Sequence, residues 1–136
     1  MTRSLAAGDV LPERAFGPLT RTDFVRYQGA SGDFNPIHHD EGFAQSAGFP
    51  TVFSVGMLQA GLLATYCTDQ FGPENVRRFK VQFREQVWPD DVLTCRATVA
   101  RVEDGLVHLD LVVTRQTGGT AVVGEASFSV SSVVGD

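Results

Sequence analysis

Basic residues are scarce in this chain. Its 136 residues hold 11 Lys and Arg against 16 Asp and Glu, a formal net charge of −5. Phosphate backbones attract basic surfaces, so this balance excludes nucleic acid as the main partner. Cysteine is scarcer still. Cys67 and Cys95 lie far apart, in apolar segments and in no metal-ligand spacing. That argues against a disulfide framework or a cysteine-bound metal and makes both thiols buried small hydrophobes. Such usage fits a reducing, cytoplasmic setting. The stretch from Met1 to Asp9 lacks an apolar run long enough for a signal peptide. No apolar run reaches the ~20 residues that a bilayer crossing needs, so no membrane partner is expected. Repeats, linkers and low-complexity tracts are also missing. The length supports one domain, residues 1–136, and a hydrophobic content of 43% supports its core.

What is present divides into a helical part and a stranded part. Residues 1–19 contain Pro12, Gly17 and Pro18 and read as an irregular entry with one short strand. Thr20 is placed to cap a helix, with Asp23 at its positive end. That helix carries Phe24, Val25 and Tyr27 and is expected to end at Gly29 and Gly32. Asp40 caps a short helix, 41–47, stopped by Gly48. From Gly56 to Cys67 the chain is apolar on nearly every side, Gln59 and Thr65 being the polar exceptions, and Gly72-Pro73 terminates it. A helix hydrophobic all round must be enclosed, so this one is expected at the centre of the domain. Gly56 and Gly61 weaken it, which calls for close approach by a strand or a ligand.

After Pro73 the period changes to two. Phe79, Val81, Phe83 and Val87 alternate with polar residues, as do Leu93 to Val99, Val107 to Val113, and Val122 to Val130. Asp104-Gly105 and Gly118-Gly119 read as two-residue hairpin turns. The pattern predicts a four-stranded antiparallel meander. Its apolar face needs a cover and the apolar helix needs a wrapper, so each satisfies the other. The fold class is α+β, a curved antiparallel sheet wrapped around a long central helix.

The chemistry lies between the helices, in Asp33-Phe34-Asn35-Pro36-Ile37-His38. Proline disfavours helix in the residue before it, so Asn35 is expected to be extended. A stiff turn can aim the Asp33 carboxylate and the His38 imidazole at one point, and this pair is suited to passing protons to and from water.

Taken together, this turn, the apolar helix and the strands resemble the MaoC-type (R)-specific enoyl-CoA hydratases, which have the hotdog fold. The likeness covers roughly residues 20–130. It rests on the D-x-N-P-x-H run, followed about 18 residues later by Val55-Gly56-Met57-Leu58. It implies reversible hydration of trans-2-enoyl-CoA, or of the acyl-carrier-protein thioester, to the (R)-3-hydroxyacyl thioester, with no metal and no cofactor. It implies that Asp33 and His38 are catalytic. It places Asn35 and Gly56 at the substrate site, Asn35 holding the turn and the Gly56 N–H binding the thioester oxygen. Physical chemistry supports the last role separately, because helix N-termini present unpaired N–H groups where negative charge can develop. The family commonly has His where this chain has Val55; Ser54 either replaces it in part or caps the helix. The resemblance also implies a homodimer, or a heterodimer with a related hotdog chain, and a free sheet edge invites such pairing.

Other readings are open to test. His38, Asp40 and the distant His108 have the letters of a 2-His-1-carboxylate iron site. A nucleophilic serine fails at once, since Val52-Phe53-Ser54-Val55-Gly56 lacks the first glycine of G-x-S-x-G. A hotdog thioesterase shares the fold without this turn. The chain could also be one subunit of a heteromeric acyl-CoA hydratase; retention of Asp33 and His38 makes it the catalytic member. Arg77, Arg78, Lys80 and Arg84 gather four of the eleven basic residues. They form either a solvated strand face or a contact for carrier phosphates.

Overall fold

The computed structural model describes residues 4–130. The first three and last six residues, and with them the ends of the expected domain 1–136, lie outside the described residues. Strand β1 (Arg14–Phe16) leads into helix α1 (Arg21–Ser31). A 3₁₀ turn over Pro36–His38 and the short helix α2 (Glu41–Ser46) follow. Helix α3 (Gly56–Phe71) then crosses the domain, and strands β2 (Val76–Phe83), β3 (Leu93–Glu103), β4 (Leu106–Arg115) and β5 (Thr120–Ser129) complete it.

Local chemistry sets most of these boundaries. The Thr20 side chain accepts from the Asp23 N–H while the Asp23 carboxylate accepts from the Thr20 N–H, a reciprocal capping box. Gly29 lies inside α1, contrary to expectation. The stop is Gly32, whose φ of +80° is the left-handed conformation that glycine adopts without strain. Asp40 caps α2 by accepting from the Phe43 N–H at 3.1 Å. Asp104 and Gly105, both at positive φ, close the β3–β4 hairpin as the sequence predicts. The β4–β5 connection is not a two-residue turn. It spans residues 116–119 and is closed by reciprocal bonds between Arg115 and the Gly118–Gly119 pair.

Neighbouring strands run in the order β1-β3-β4-β5-β2, all antiparallel. This corrects the expected four-strand meander. Only β3, β4 and β5 meander; β2 crosses over and pairs with β5, from Val76 opposite Phe128 to Phe83 opposite Val122. The alternation within each strand is read correctly from sequence, but it carries no information about which strand is the neighbour. Gly124 permits the β5–β2 approach, since a Cβ there would stand 2.6 Å from the Lys80 carbonyl oxygen.

The core joins α3 to the concave face of the sheet. Leu63, Cys67 and Phe71 of the helix pack with Leu93, Cys95, Val99, Val107, Val113 and Phe128. Phe71 stacks on Phe128 with ring centres 5.1 Å apart. Both cysteines are buried and unpaired, and burial pushes each thiol up to about 12, so they are inert at neutral pH. The sheet covers one side of α3 only. Met57 is 54% exposed, and Gly61 and Thr65, one and two turns on, are exposed as well. The expected complete enclosure of the helix is therefore not met within one chain.

Candidate active site

Two successive side chain–backbone turns build the Asp33–His38 segment. The Asp33 carboxylate accepts from the Asn35 N–H at 3.2 Å, and the Asn35 side-chain carbonyl accepts from the Ile37 N–H at 3.1 Å. Asn35 has φ −57° and ψ 121°, the extended conformation that Pro36 imposes on it. Pro36 then starts the 3₁₀ turn, where its missing N–H costs nothing. The His38 N–H donates to the Asn35 carbonyl and the Asp40 N–H to the Pro36 carbonyl. His38 emerges from this turn 8% exposed.

The His38 ring is fixed on two sides. Its Nδ1 lies 2.8 Å from the Phe53 carbonyl oxygen, and the Phe53 ring meets it edge-on at 5.3 Å. A carbonyl oxygen only accepts, so Nδ1 carries the proton and the neutral ring keeps its lone pair on Nε2. Phe53 is itself held. The next residue, Ser54, donates its N–H to the Val87 carbonyl at 2.8 Å, and Phe53 packs against Phe49 and Trp88.

Three residues beyond Phe53, α3 begins at Gly56. Its N-cap, Val55, supplies no side-chain capping bond. Ser54 does not cap the helix either. Its hydroxyl is 2.6 Å from the Gln59 side-chain oxygen and 3.2 Å from the Val55 carbonyl. The first-turn N–H groups of α3 are therefore without the side-chain acceptor that usually serves a helix start. Gly56 approaches the sheet closely. A Cβ there would meet the Phe83 ring at 3.3–3.4 Å, whereas one at Gly61 would meet open space, so only the first of the two glycines has a packing reason.

His38 and Gly56 line one cleft of about 240 Å³, together with Ser54, Gln59, Phe83 and Arg84. Asp33 and Asn35 do not line it. Asp33 is exposed at the head of the same turn, and the Asn35 side chain is committed to holding that turn. A larger hollow of about 550 Å³ lies between α1 and the open side of α3, walled by Leu19, Tyr27, Leu58 and Leu62. It contains no imidazole, and the helix start beside it, that of α1, is closed by the Thr20–Asp23 capping box, so the chemistry favours the smaller cleft.

Sequence reasoning missed the support for this turn. Gln28, 2% exposed on an otherwise largely solvated helix, donates Nε2–H to the Asn35 carbonyl at 3.0 Å. Its Oε1 lies 3.0 Å from His39 Nδ1. One carboxamide thus grips both ends of the segment bearing His38. The i, i+4 pairing with Phe24 marks Gln28 as inward-facing, but glutamine in a helix is ordinarily read as surface. Replacing it by Leu removes both of these bonds at once and puts an apolar side chain against the Asn35 carbonyl and the His39 ring. Gln28→Leu is expected to lower stability by ~1–3 kcal/mol, read from the urea midpoint.

Of the four clustered basic residues, Arg78 pairs with Glu125 at 2.7 Å and Arg77 bonds the Glu74 and Val76 carbonyls. Lys80 stays on the solvated face, and only Arg84 reaches the cleft. The alternative iron site is not assembled. His108 bonds Ser127 Oγ at 2.8 Å, and among the described residues no group of three His, Cys, Asp or Glu is gathered to hold a metal. Among those residues, no helix is long and apolar enough to cross a membrane.

A five-stranded antiparallel sheet curled on one long helix, with a histidine-bearing turn at the helix start, defines a hotdog-fold protein of the R-hydratase type. The family described as MaoC like domain matches residues 6–121, and the chain belongs to it. The (R)-specific enoyl-CoA hydratase of Rhodospirillum rubrum is 30% identical over 119 residues, covering 82% of this chain and 80% of that protein. The 3-oxo-4,17-pregnadiene-20-carboxyl-CoA hydratase beta subunit of Mycobacterium tuberculosis is 30% identical over 125 residues, 90% of this chain and 95% of that one. The solved (R)-hydratase from A. caviae involved in PHA biosynthesis superimposes with a TM-score of 0.83 at 26% identity, over 94% of this chain and 98% of that one. The chain also matches much longer proteins, spanning 8%, 14% and 5% of three of them.

Proposed function

We propose that this protein hydrates trans-2-enoyl thioesters of CoA or acyl-carrier protein to (R)-3-hydroxyacyl thioesters, and catalyses the reverse dehydration. The observation that carries the reading is His38. Its Nδ1–H is fixed on the Phe53 carbonyl, and its lone-pair nitrogen belongs to a ring that shares a cleft with the uncapped start of α3. Asp33 and His38 are the catalytic pair. Asp33, at the exposed head of the turn, and His38, inside the cleft, orient a water between them, remove its proton and supply a proton to the α-carbon. Asn35 acts through the turn, bonding the Ile37 N–H, rather than by touching substrate. The Gly56 N–H stabilises the charge that develops on the thioester oxygen, aided by the positive end of the α3 dipole. Neither a metal nor a cofactor takes part in these steps. The names of the R. rubrum and A. caviae relatives support this activity.

The working unit is a dimer of hotdog chains in the cytoplasm. The exposed Asp33, the free edge of β2 with Phe83 49% exposed, and the open side of α3 are the surfaces a second chain would cover. A homodimer is the simpler form. A heterodimer with a related chain is the second reading, favoured by likeness to a protein described as a beta subunit.

The test is hydration of crotonyl-, octenoyl- and a bulky ring-bearing enoyl-CoA by the purified chain, followed by loss of the conjugated thioester absorbance, with chiral analysis of the product. A homodimer that hydrates none of them removes the simple reading. Activity restored by a co-expressed hotdog partner supports the heteromer. Release of free CoA without hydration identifies a thioesterase instead.

A further inference from the structure

The reading above assigns the Gly56 N–H as donor to the thioester oxygen. A second donor stands in the same cleft. Gln59 is 3% exposed and is the one polar side chain in the first two turns of an apolar helix. Its side-chain oxygen and the Ser54 hydroxyl are 2.6 Å apart, within the O–H···O range and below the usual N–H···O range. Ser54 therefore donates to Oε1, and the amide nitrogen is turned the other way. Gln59 Nε2 has no hydrogen-bond partner among the described residues. It is not sealed off, because among those residues Gln70 Oε1 is the only enclosed side-chain polar atom left unpaired. The accessible space beside Gln59 is the cleft it shares with His38 and Gly56.

Helix geometry brings these groups together. Gln59 follows Gly56 by three residues and lies on the same face, and side chains on a helix lean toward its N-terminus. The carboxamide thus lies over the first turn of α3, where the N–H groups also lack a side-chain cap. The two N–H bonds of this amide have no protein acceptor and face the cleft, so a ligand oxygen entering there can take them in place of water.

We propose that Gln59 is a catalytic residue, donating Nε2–H to the thioester carbonyl oxygen beside the Gly56 N–H, with Ser54 holding the carboxamide in that orientation. The step balances simply. Water oxygen bonds to C3 and gives its proton to the base. The C2=C3 electron pair moves toward the thioester, placing negative charge on its oxygen, and C2 then takes a proton. The two donors share the transient charge, so their contribution is largest in the transition state.

The proposal rests on the hydratase reading for its substrate, and a binding measurement separates the two. Hexadienoyl-CoA, a conjugated dienoyl thioester, shifts its absorbance to longer wavelength when its carbonyl is polarised. It is bound to an Asp33→Asn background to slow turnover, with Gln59 intact, Gln59→Met or Gln59→Leu. Met keeps the length and removes both N–H groups; Leu also removes them and is shorter. Both variants are expected to fold, as judged by thermal melts. Each should lose roughly half of the red shift, since one donor of two remains. In the otherwise native chain, kcat for crotonyl-CoA should fall ~10²-fold with KM little changed. An undiminished red shift in both variants overturns the proposal even if kcat falls, because Gln59 would then hold the water instead. A full red shift in Gln59→Met with a loss in Gln59→Leu also overturns it, in favour of cleft shape. Failure of the native chain to bind the dienoyl thioester overturns it too. If the native chain binds with a red shift that the variants lose, yet hydrates no enoyl-CoA, the donor stands and the hydratase reading fails.

Discussion

Asp33→Asn and His38→Ala are each expected to lower kcat for enoyl-CoA hydration by ~10²–10⁴ while leaving a folded protein. Initial rates of absorbance loss, paired with thermal melts, measure both. The two variants test different parts of the site. Asp33 is exposed, and one carboxylate oxygen accepts only the local Asn35 N–H. Asparagine keeps an oxygen for that bond, so Asp33→Asn should melt close to the native protein. His38 is 8% exposed and bonds the Phe53 carbonyl, so His38→Ala leaves that half-buried acceptor without its donor and opens a small space. A stability cost of ~1–3 kcal/mol accompanies its loss of activity. Near-native hydration by either variant would remove the proposed pair. Loss of activity with loss of fold in His38→Ala alone would leave Asp33→Asn as the decisive measurement.

How the site is held explains why much of it was legible in the sequence. The D-x-N-P-x-H turn is a local structure. Asp33, Asn35 and Pro36 act on backbone groups within two residues of themselves, so their letters suffice to predict the geometry. The extent of α3 is equally local, since the apolar run marks its body and Gly72 and Pro73 mark its end. Non-local support was far less legible. Gln28 reads as a surface glutamine although its side chain holds the turn from α1, and the Phe53 carbonyl that bonds His38 could belong to any residue. Gln59 did leave a mark, as a lone amide in an apolar helix. Its meaning depended on Ser54, five residues earlier, whose capping propensity pointed to a different job.

The fold divides along the same line. Alternation gives each strand and its buried face, because side-chain direction is a property of one strand. Strand order is set by long connections and by which edges remain free. The segment after β2, with Trp88 and Asp91, carries the chain across the domain to β3 instead of turning it back in a hairpin. Enclosure of α3 was overestimated for a related reason. Composition requires its apolar sides to be covered, but does not say whether the cover comes from the same chain. Met57 and Leu58 begin the side left open, next to the cleft that holds Gln59.

Asp91→Ala is expected to cause the largest loss of stability, ~3 kcal/mol, or roughly a 10 °C fall in Tm for a chain of this size. Asp91 is 3% exposed and ties three elements together. Its carboxylate accepts from the Trp88 N–H at 2.8 Å, from Arg115 Nε at 2.8 Å and from the Gln116 amide at 2.7 Å. Its backbone carbonyl accepts the Leu19 N–H at 2.9 Å. Arg115 also bonds Glu85, whose neighbour Arg84 lines the cleft, so the network braces the site wall from behind. Removing the carboxylate leaves a mostly buried guanidinium with Glu85 alone. Acid should act in the same direction. Burial by itself would raise the Asp91 carboxyl, but the bonds from Arg115, the Trp88 N–H and Gln116, with the Arg115 charge, outweigh it and hold the group below its usual range. A carboxyl lower in the folded state than in the unfolded chain stabilises the fold above its unfolded value of ~3.9. That contribution is lost as pH falls below ~4 and through the lower folded value. Urea midpoints between pH ~2.5 and ~7 should therefore fall more steeply for the native protein than for Asp91→Asn, whose amide does not titrate. Parallel curves, or an Asp91→Ala protein melting within ~2 °C of native, would show that Arg115 and Gln116 find equivalent partners without it.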